Sequence, residues 1–83
     1  MPSKTHTAPI LAKSIETTDL HLIVVTEAGR FAIPWKQCSA RLAKAEPLER
    51  RRAELSSSGY GIHWPLIDED LAVGPLVEGM RPK

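Results

Sequence analysis

The residues best suited to chemistry lie close together in the C-terminal third of the chain: His63-Trp64-Pro65, followed by Asp68-Glu69-Asp70. An imidazole and three carboxylates within eight residues could bind a divalent cation or carry out acid/base catalysis. A zinc site, however, needs three or four converging ligands, and neither His6 nor His21 stands at a spacing that helps His63. A calcium loop of the EF-hand kind needs ligands at alternating positions, a central glycine and a terminal glutamate, a pattern this segment lacks. The structural reading is therefore preferred: Asp68 or Asp70 accepts N–H bonds at the start of a turn, and Trp64 fills the core. No metal and no other cofactor is expected, and an enzyme centred on His63, Asp68 and Asp70 is kept as an alternative.

Other groups offer less. Cys38 and the run Ser56-Ser57-Ser58 have no paired base and no Gly-x-Ser-x-Gly elbow, and Cys38 falls on the inward stripe of a short helix. Gly59-Tyr60-Gly61 lacks the third glycine and following lysine of a phosphate loop. Arg50-Arg51-Arg52, with Arg41 and Lys44 upstream, is the cluster able to meet phosphates or an acidic partner. Consecutive helical residues diverge by about 100°, so three arginines in a row wrap round a helix and make no flat patch. Glu46, Glu49 and Glu54 flank them, and a solvated face is the expectation.

The elements that position these groups follow from hydropathy and turn chemistry. Residues 1–9, with Pro2 and Pro9 among small polar residues, read as a disordered arm, and 80–83 as a tail. A single α+β domain is expected over 10–79. Strand patterns cover 10–16, 20–26, 31–35 and 59–64, the second of them apolar on both faces in its second half and so the candidate central strand. Gly29 marks a hairpin turn, and Pro34 restricts the third strand to an edge or to ending there. Cys38, Leu42 and Ala45 recur at helical spacing, which predicts one helix of about ten residues after Trp35. A second helix is expected over 46–55, with Pro47 and Glu49 in its first turn and Leu48 and Leu55 inward. Pro75 and Gly79 allow a single terminal turn. The predicted fold is thus a small antiparallel sheet of about four strands packed on two short helices, with a C-terminal turn or short helix. Its predicted core is Leu22, Val24, Ile33, Trp35, Leu42, Leu48, Ile62 and Trp64.

Composition limits the function classes. Eighty-three residues make one modest core, and 42% hydrophobic with 25% charged residues is ordinary for a globular protein. Eleven basic against ten acidic residues argue against a general polyanion binder. No apolar run approaches the ~18 residues of a membrane span, and MPSKTHTAP carries no signal-peptide core. With one cysteine no intrachain disulfide can form, which fits a cytoplasmic location.

From Gly59 onward the sequence Gly-Tyr-Gly-Ile-His-Trp-Pro-Leu-Ile-Asp-Glu-Asp-Leu resembles the C-terminal signature of a bacterial family, domain of unknown function 2442. The motif positions are Gly61, His63, Trp64, Pro65, Asp68, Glu69, Asp70 and Leu71, and the upstream hairpin and Arg-rich helical section also fit. The resemblance implies a small α+β protein without an assigned reaction; some members are similar to antitoxins of two-gene operons, and others carry a further helix-turn-helix domain. Ala72 stands where a serine or threonine cap is usual, so a long final helix is not expected. The expected function is a non-enzymatic interaction module whose partner is a protein, such as a cognate toxin, met through an open edge of the sheet together with Arg50, Arg51 and Arg52. Self-association into a homodimer is also expected. A nucleic-acid-binding regulator that sets Arg41, Lys44 and Arg50 to Arg52 on phosphates is a second alternative beside the enzyme.

Overall fold

The computed structural model describes residues 9–80; of the expected arm at 1–9 and tail at 80–83, all but Pro9 and Met80 lie outside them. Among the described residues are six strands and four short helices, an α+β fold as expected. The strands are divided between two antiparallel sheets of three.

The first sheet is a meander of β1 (Ala12–Thr17), β2 (His21–Thr26) and β3 (Gly29–Pro34), with β2 central. Alternation in β2 buries Leu22, Val24 and Thr26 and leaves Ile23 and Val25 half-buried on the other face. Thr26 pairs with Gly29 across a two-residue turn. Its buried hydroxyl accepts from the Ala28 N–H and donates to the Gly29 carbonyl, while Gly29 takes a φ of 130° that favours glycine. Pro34 ends β3 on an edge of the sheet, where a missing N–H leaves no ladder bond unmade.

The helical section departs from the expected pair of helices. The first splits into α1 (Trp35–Cys38) and α2 (Ala40–Lys44), because Ser39 is extended and its hydroxyl caps α2 by accepting from the Leu42 N–H at 3.1 Å. Cys38 and Leu42 remain on the buried side. The second, α3 (Pro47–Arg51), is shorter than predicted: Pro47 opens it, and the Glu49 carboxylate accepts from the Glu46 N–H at 2.8 Å. Leu48, expected in the core, is 52% exposed. A helix of little more than one turn cannot present both Leu48 and Arg50 inward, and Arg50 takes that side.

Beyond α3 the chain forms the second sheet from β4 (Glu54–Leu55), β5 (Gly61–Trp64) and β6 (Glu69–Ala72), with β5 central. Residues 54–55, predicted as helix, and the acidic run at 69–70 are strands that the hydropathy pattern did not reveal. A terminal helix, α4 (Val73–Glu78), follows directly and ends at Gly79; it starts two residues before Pro75 and buries Val73, Leu76 and Val77. Ala72 makes no side-chain cap; the Val73 N–H bonds instead to the Tyr60 carbonyl at 2.8 Å.

The sheets meet at one seam, where the Ala12 N–H donates to the Gly59 carbonyl at 2.8 Å. Gly59 is buried with φ 79°, and a Cβ there would collide with the carbonyl oxygen of Ala12. Between the sheets lies the core, which includes every predicted member except Leu48 and adds Ala12, Cys38, Val73, Leu76 and Val77. Trp35 and Trp64 sit edge to face at 6.4 Å and 81°.

Candidate functional site

β5 and β6 carry most of the motif. Alternation along β5 sends Ile62 and Trp64 inward and Gly61 and His63 to the outer face. Trp64 is fully buried, and its indole N–H donates to the Arg50 carbonyl at 3.2 Å. On the outer face His63 is paired in register with Glu54 of β4 and Asp70 of β6, so the imidazole stands between two carboxylate-bearing strands. Its Nδ1 lies 2.8 Å from the Asp70 Oδ1, the ring N–H donating and the carboxylate accepting. Both side chains are substantially exposed, which limits the contribution of the pair to stability. Among the described residues no three histidine, cysteine or acidic side chains are placed to hold a metal ion together.

The rest of the box forms the turn between β5 and β6. Pro65 and Leu66 are exposed there, and Asp68 has φ 53°, a left-handed conformation that aspartate tolerates better than most residues. Neither Asp68 nor Asp70 is seen accepting N–H bonds at the start of a turn, as the sequence suggested; Asp70 pairs with His63, and the Asp70 N–H is met by the Glu69 carboxylate at 3.3 Å. Arg41 reaches over from α2 and donates to the carbonyls of Ile67 and Asp68 at 3.3 and 3.0 Å. Glu69 and Leu71 are half-buried in β6, and Leu71 packs against the core.

The three arginines separate. Arg50 turns inward: its Nε donates to the Leu42 carbonyl at 3.0 Å, its Nη2 to the Ala43 carbonyl at 2.9 Å, and its guanidinium lies 5.6 Å from the centroid of the Trp35 ring. Both carbonyls belong to the C-terminal turn of α2; that of Leu42 also accepts from the Ala45 N–H at 3.2 Å, and that of Ala43 has no partner within so short a helix. Arg50 is thus a structural cap, whereas Arg51 and Arg52 are exposed. Leu48 stands three residues before Arg51, a spacing that makes neighbours on a helical surface, and Arg52 follows where the helix ends.

The remaining candidates are engaged in structure. Burial pushes the Cys38 thiol up to about 11, against a weaker downward pull from Arg50, so the nucleophilic thiolate is scarce at neutral pH. The Ser56 hydroxyl accepts from the N–H groups of Tyr60 and Gly61, both at 3.1 Å, and holds the turn that leads into β5. Tyr60 itself is 56% exposed. Together with Glu54, His63 and Asp70 it borders a cavity of about 390 Å³ whose lining includes Gly61 and Ala72. Nothing in the sequence marks Tyr60 for function, and Glu54 reads there only as a helical counter-charge; their placement depends on strand pairing.

Residues 13–82 match the sequence profile of a family described as protein of unknown function, DUF2442. The chain belongs to this family. The resemblance carried by the Gly-Ile-His-Trp and Asp-Glu-Asp-Leu segments is thereby borne out. The DUF2442 chain is also similar in structure to a protein of unknown function from Rhodospirillum rubrum ATCC 11170, with a TM-score of 0.74 and 26% sequence identity over 92% of this chain and 94% of that one. No curated protein matches the DUF2442 chain. Among its described residues no helix is long and apolar enough to cross a membrane.

Proposed function

We propose that this protein is a non-enzymatic interaction module, antitoxin-like in its mode of action, that holds a partner protein through the exposed surface of α3. The observation that carries this reading is the displacement of Leu48 from the core to the exposed surface of α3, one helical turn before Arg51. An exposed leucine flanked by guanidinium groups suits a partner that offers an apolar pocket rimmed by carboxylates. Segment 35–52 holds six basic residues against two acidic ones, which adds a steering field of the same sign. The nucleic-acid alternative has less support, because Arg41 and Arg50, two of the five cations it invokes, spend donors on backbone carbonyls.

The test is quantitative capture of the product of the adjacent reading frame, co-expressed with tagged wild type or with the triple variant Leu48→Ser, Arg51→Ala, Arg52→Ala. Retention is expected to fall tenfold or more, while stability in urea changes by no more than about 1 kcal/mol, the ordinary effect of exposed substitutions. Equal retention by both forms removes α3 from the contact, and no retention by either overturns the interaction reading with that partner.

A further inference from the structure

The second sheet presents a surface unlike α3 in both charge and shape. Residues 53–80 include five acidic side chains and no lysine or arginine, in contrast to the basic helical section before them. On the outer face of the sheet Gly61 pairs directly with Ala72, so one row across β5 and β6 carries almost no side chain. The adjacent row is Glu54, His63 and Asp70. A hollow results, floored by Gly61 and Ala72, with the exposed Tyr60 ring and the two carboxylates on its border.

We infer that this outer face is a docking groove for an extended, arginine-bearing segment of a partner protein, the stem of one arginine lying over Gly61 and Ala72 and its guanidinium meeting the carboxylates of the Glu54–His63–Asp70 row. The inference rests on the interaction reading but uses the face of the sheet opposite the one on which Trp64 meets α3. Charge complementarity selects the occupant, because the carboxylates of Glu54 and Asp70 border the hollow and its lining holds no lysine or arginine. Shape refines the choice: a three-carbon stem covers the small-residue floor, and a planar guanidinium can stack on Tyr60 while it bonds a carboxylate. His63 acts as a positioning residue, since its bond to Asp70 Oδ1 fixes the carboxylate and leaves Oδ2 for the incoming donor. An extended segment fits because its alternate side chains share one face and match the row spacing of the sheet.

Titration of the ¹⁵N-labelled full chain with three synthetic peptides tests this. The peptides are identical except at two alternate positions, occupied by arginine, by glutamate, or by diaminopropionate, a cation of short stem. The arginine peptide is expected to move the amide resonances of Gly61, His63 and Ala72 saturably, and to bind at least fivefold more weakly to Glu54→Gln/Asp70→Asn. The glutamate peptide should leave them in place, and the diaminopropionate peptide should bind at least threefold more weakly than the arginine one. Unmoved resonances, shifts of equal size with glutamate, or equal affinity for the two cationic peptides would each overturn the groove. Because the capture experiment reads α3 and this titration reads β5 and β6, failure of one is distinguishable from failure of the other. Gly61→Ala is an independent check, since its Cβ meets nothing nearer than 3.5 Å and adds one methyl to the floor; arginine-peptide affinity unaltered by both this change and the double variant also overturns the proposal.

Discussion

Arg50 shows how a residue's neighbours, and not its charge, decide its role. Two charge-assisted bonds to the carbonyls of Leu42 and Ala43, with a cation–π contact to Trp35, make it a fastener between α2, α3 and the core. Hydrogen bonds to charged groups are worth about 1.5–3 kcal/mol, so Arg50→Ala is expected to destabilise the protein by about that much. Arg51→Ala, at an exposed position, should stay within about 0.5 kcal/mol. Urea denaturation of the two variants measures the contrast, and equal midpoints would return Arg50 to the solvated surface. Lysine at position 50 should rescue only part of the loss, because a single ammonium cannot reproduce the guanidinium fork.

At the level of elements, most of the helices and strands are too short to stand alone and depend on a few local devices. Ser39 caps α2, Glu49 closes the first turn of α3, and the Tyr60 carbonyl meets the start of α4 in place of a side-chain cap. The seam between the sheets depends on Gly59, whose left-handed φ and closeness to Ala12 leave no room for a side chain. Gly59→Ala should therefore cost more than the ~1–2 kcal/mol of left-handed backbone alone. Gly61→Ala, where backbone and space are ordinary, should change stability by about 1 kcal/mol or less. Thermal denaturation of both variants gives the comparison; a Gly59 variant as stable as wild type would show that the seam adjusts.

For the whole molecule, two small sheets share one core, and neither is large enough to bury its own inner face. The tryptophans join them: Trp35 follows the first sheet, Trp64 ends the central strand of the second, and their rings meet edge to face. Each indole N–H is used, Trp35 on the Thr18 carbonyl and Trp64 on that of Arg50. Trp64→Ala is expected to cost about 3–5 kcal/mol through the cavity it leaves. For a domain of this size that is a large part of the total stability, and circular dichroism with denaturant titration should show partial or complete unfolding. An unchanged midpoint would contradict the burial of Trp64.

The sequence by itself determined what depends on local period and turn chemistry. The hairpin at Gly29, the centrality of β2, the edge position of Pro34, the inward Trp35, Leu42, Ile62 and Trp64, and the α+β class were all legible there, as was the family box. Only the tertiary structure decided which strands pair in the second sheet. β4 has two residues, too few for a period to appear, and β6 hides its strand character behind acidic side chains that suit an edge. Strand pairing in turn brought Glu54, His63 and Asp70 into one row, a relation between residues up to sixteen apart that no spacing rule encodes. The exchange of Leu48 for Arg50 was hidden for a similar reason. Hydropathy favours the leucine inside, but the C-terminal carbonyls of a short α2 and the face of Trp35 come together only once the chain has folded, and they draw the arginine in.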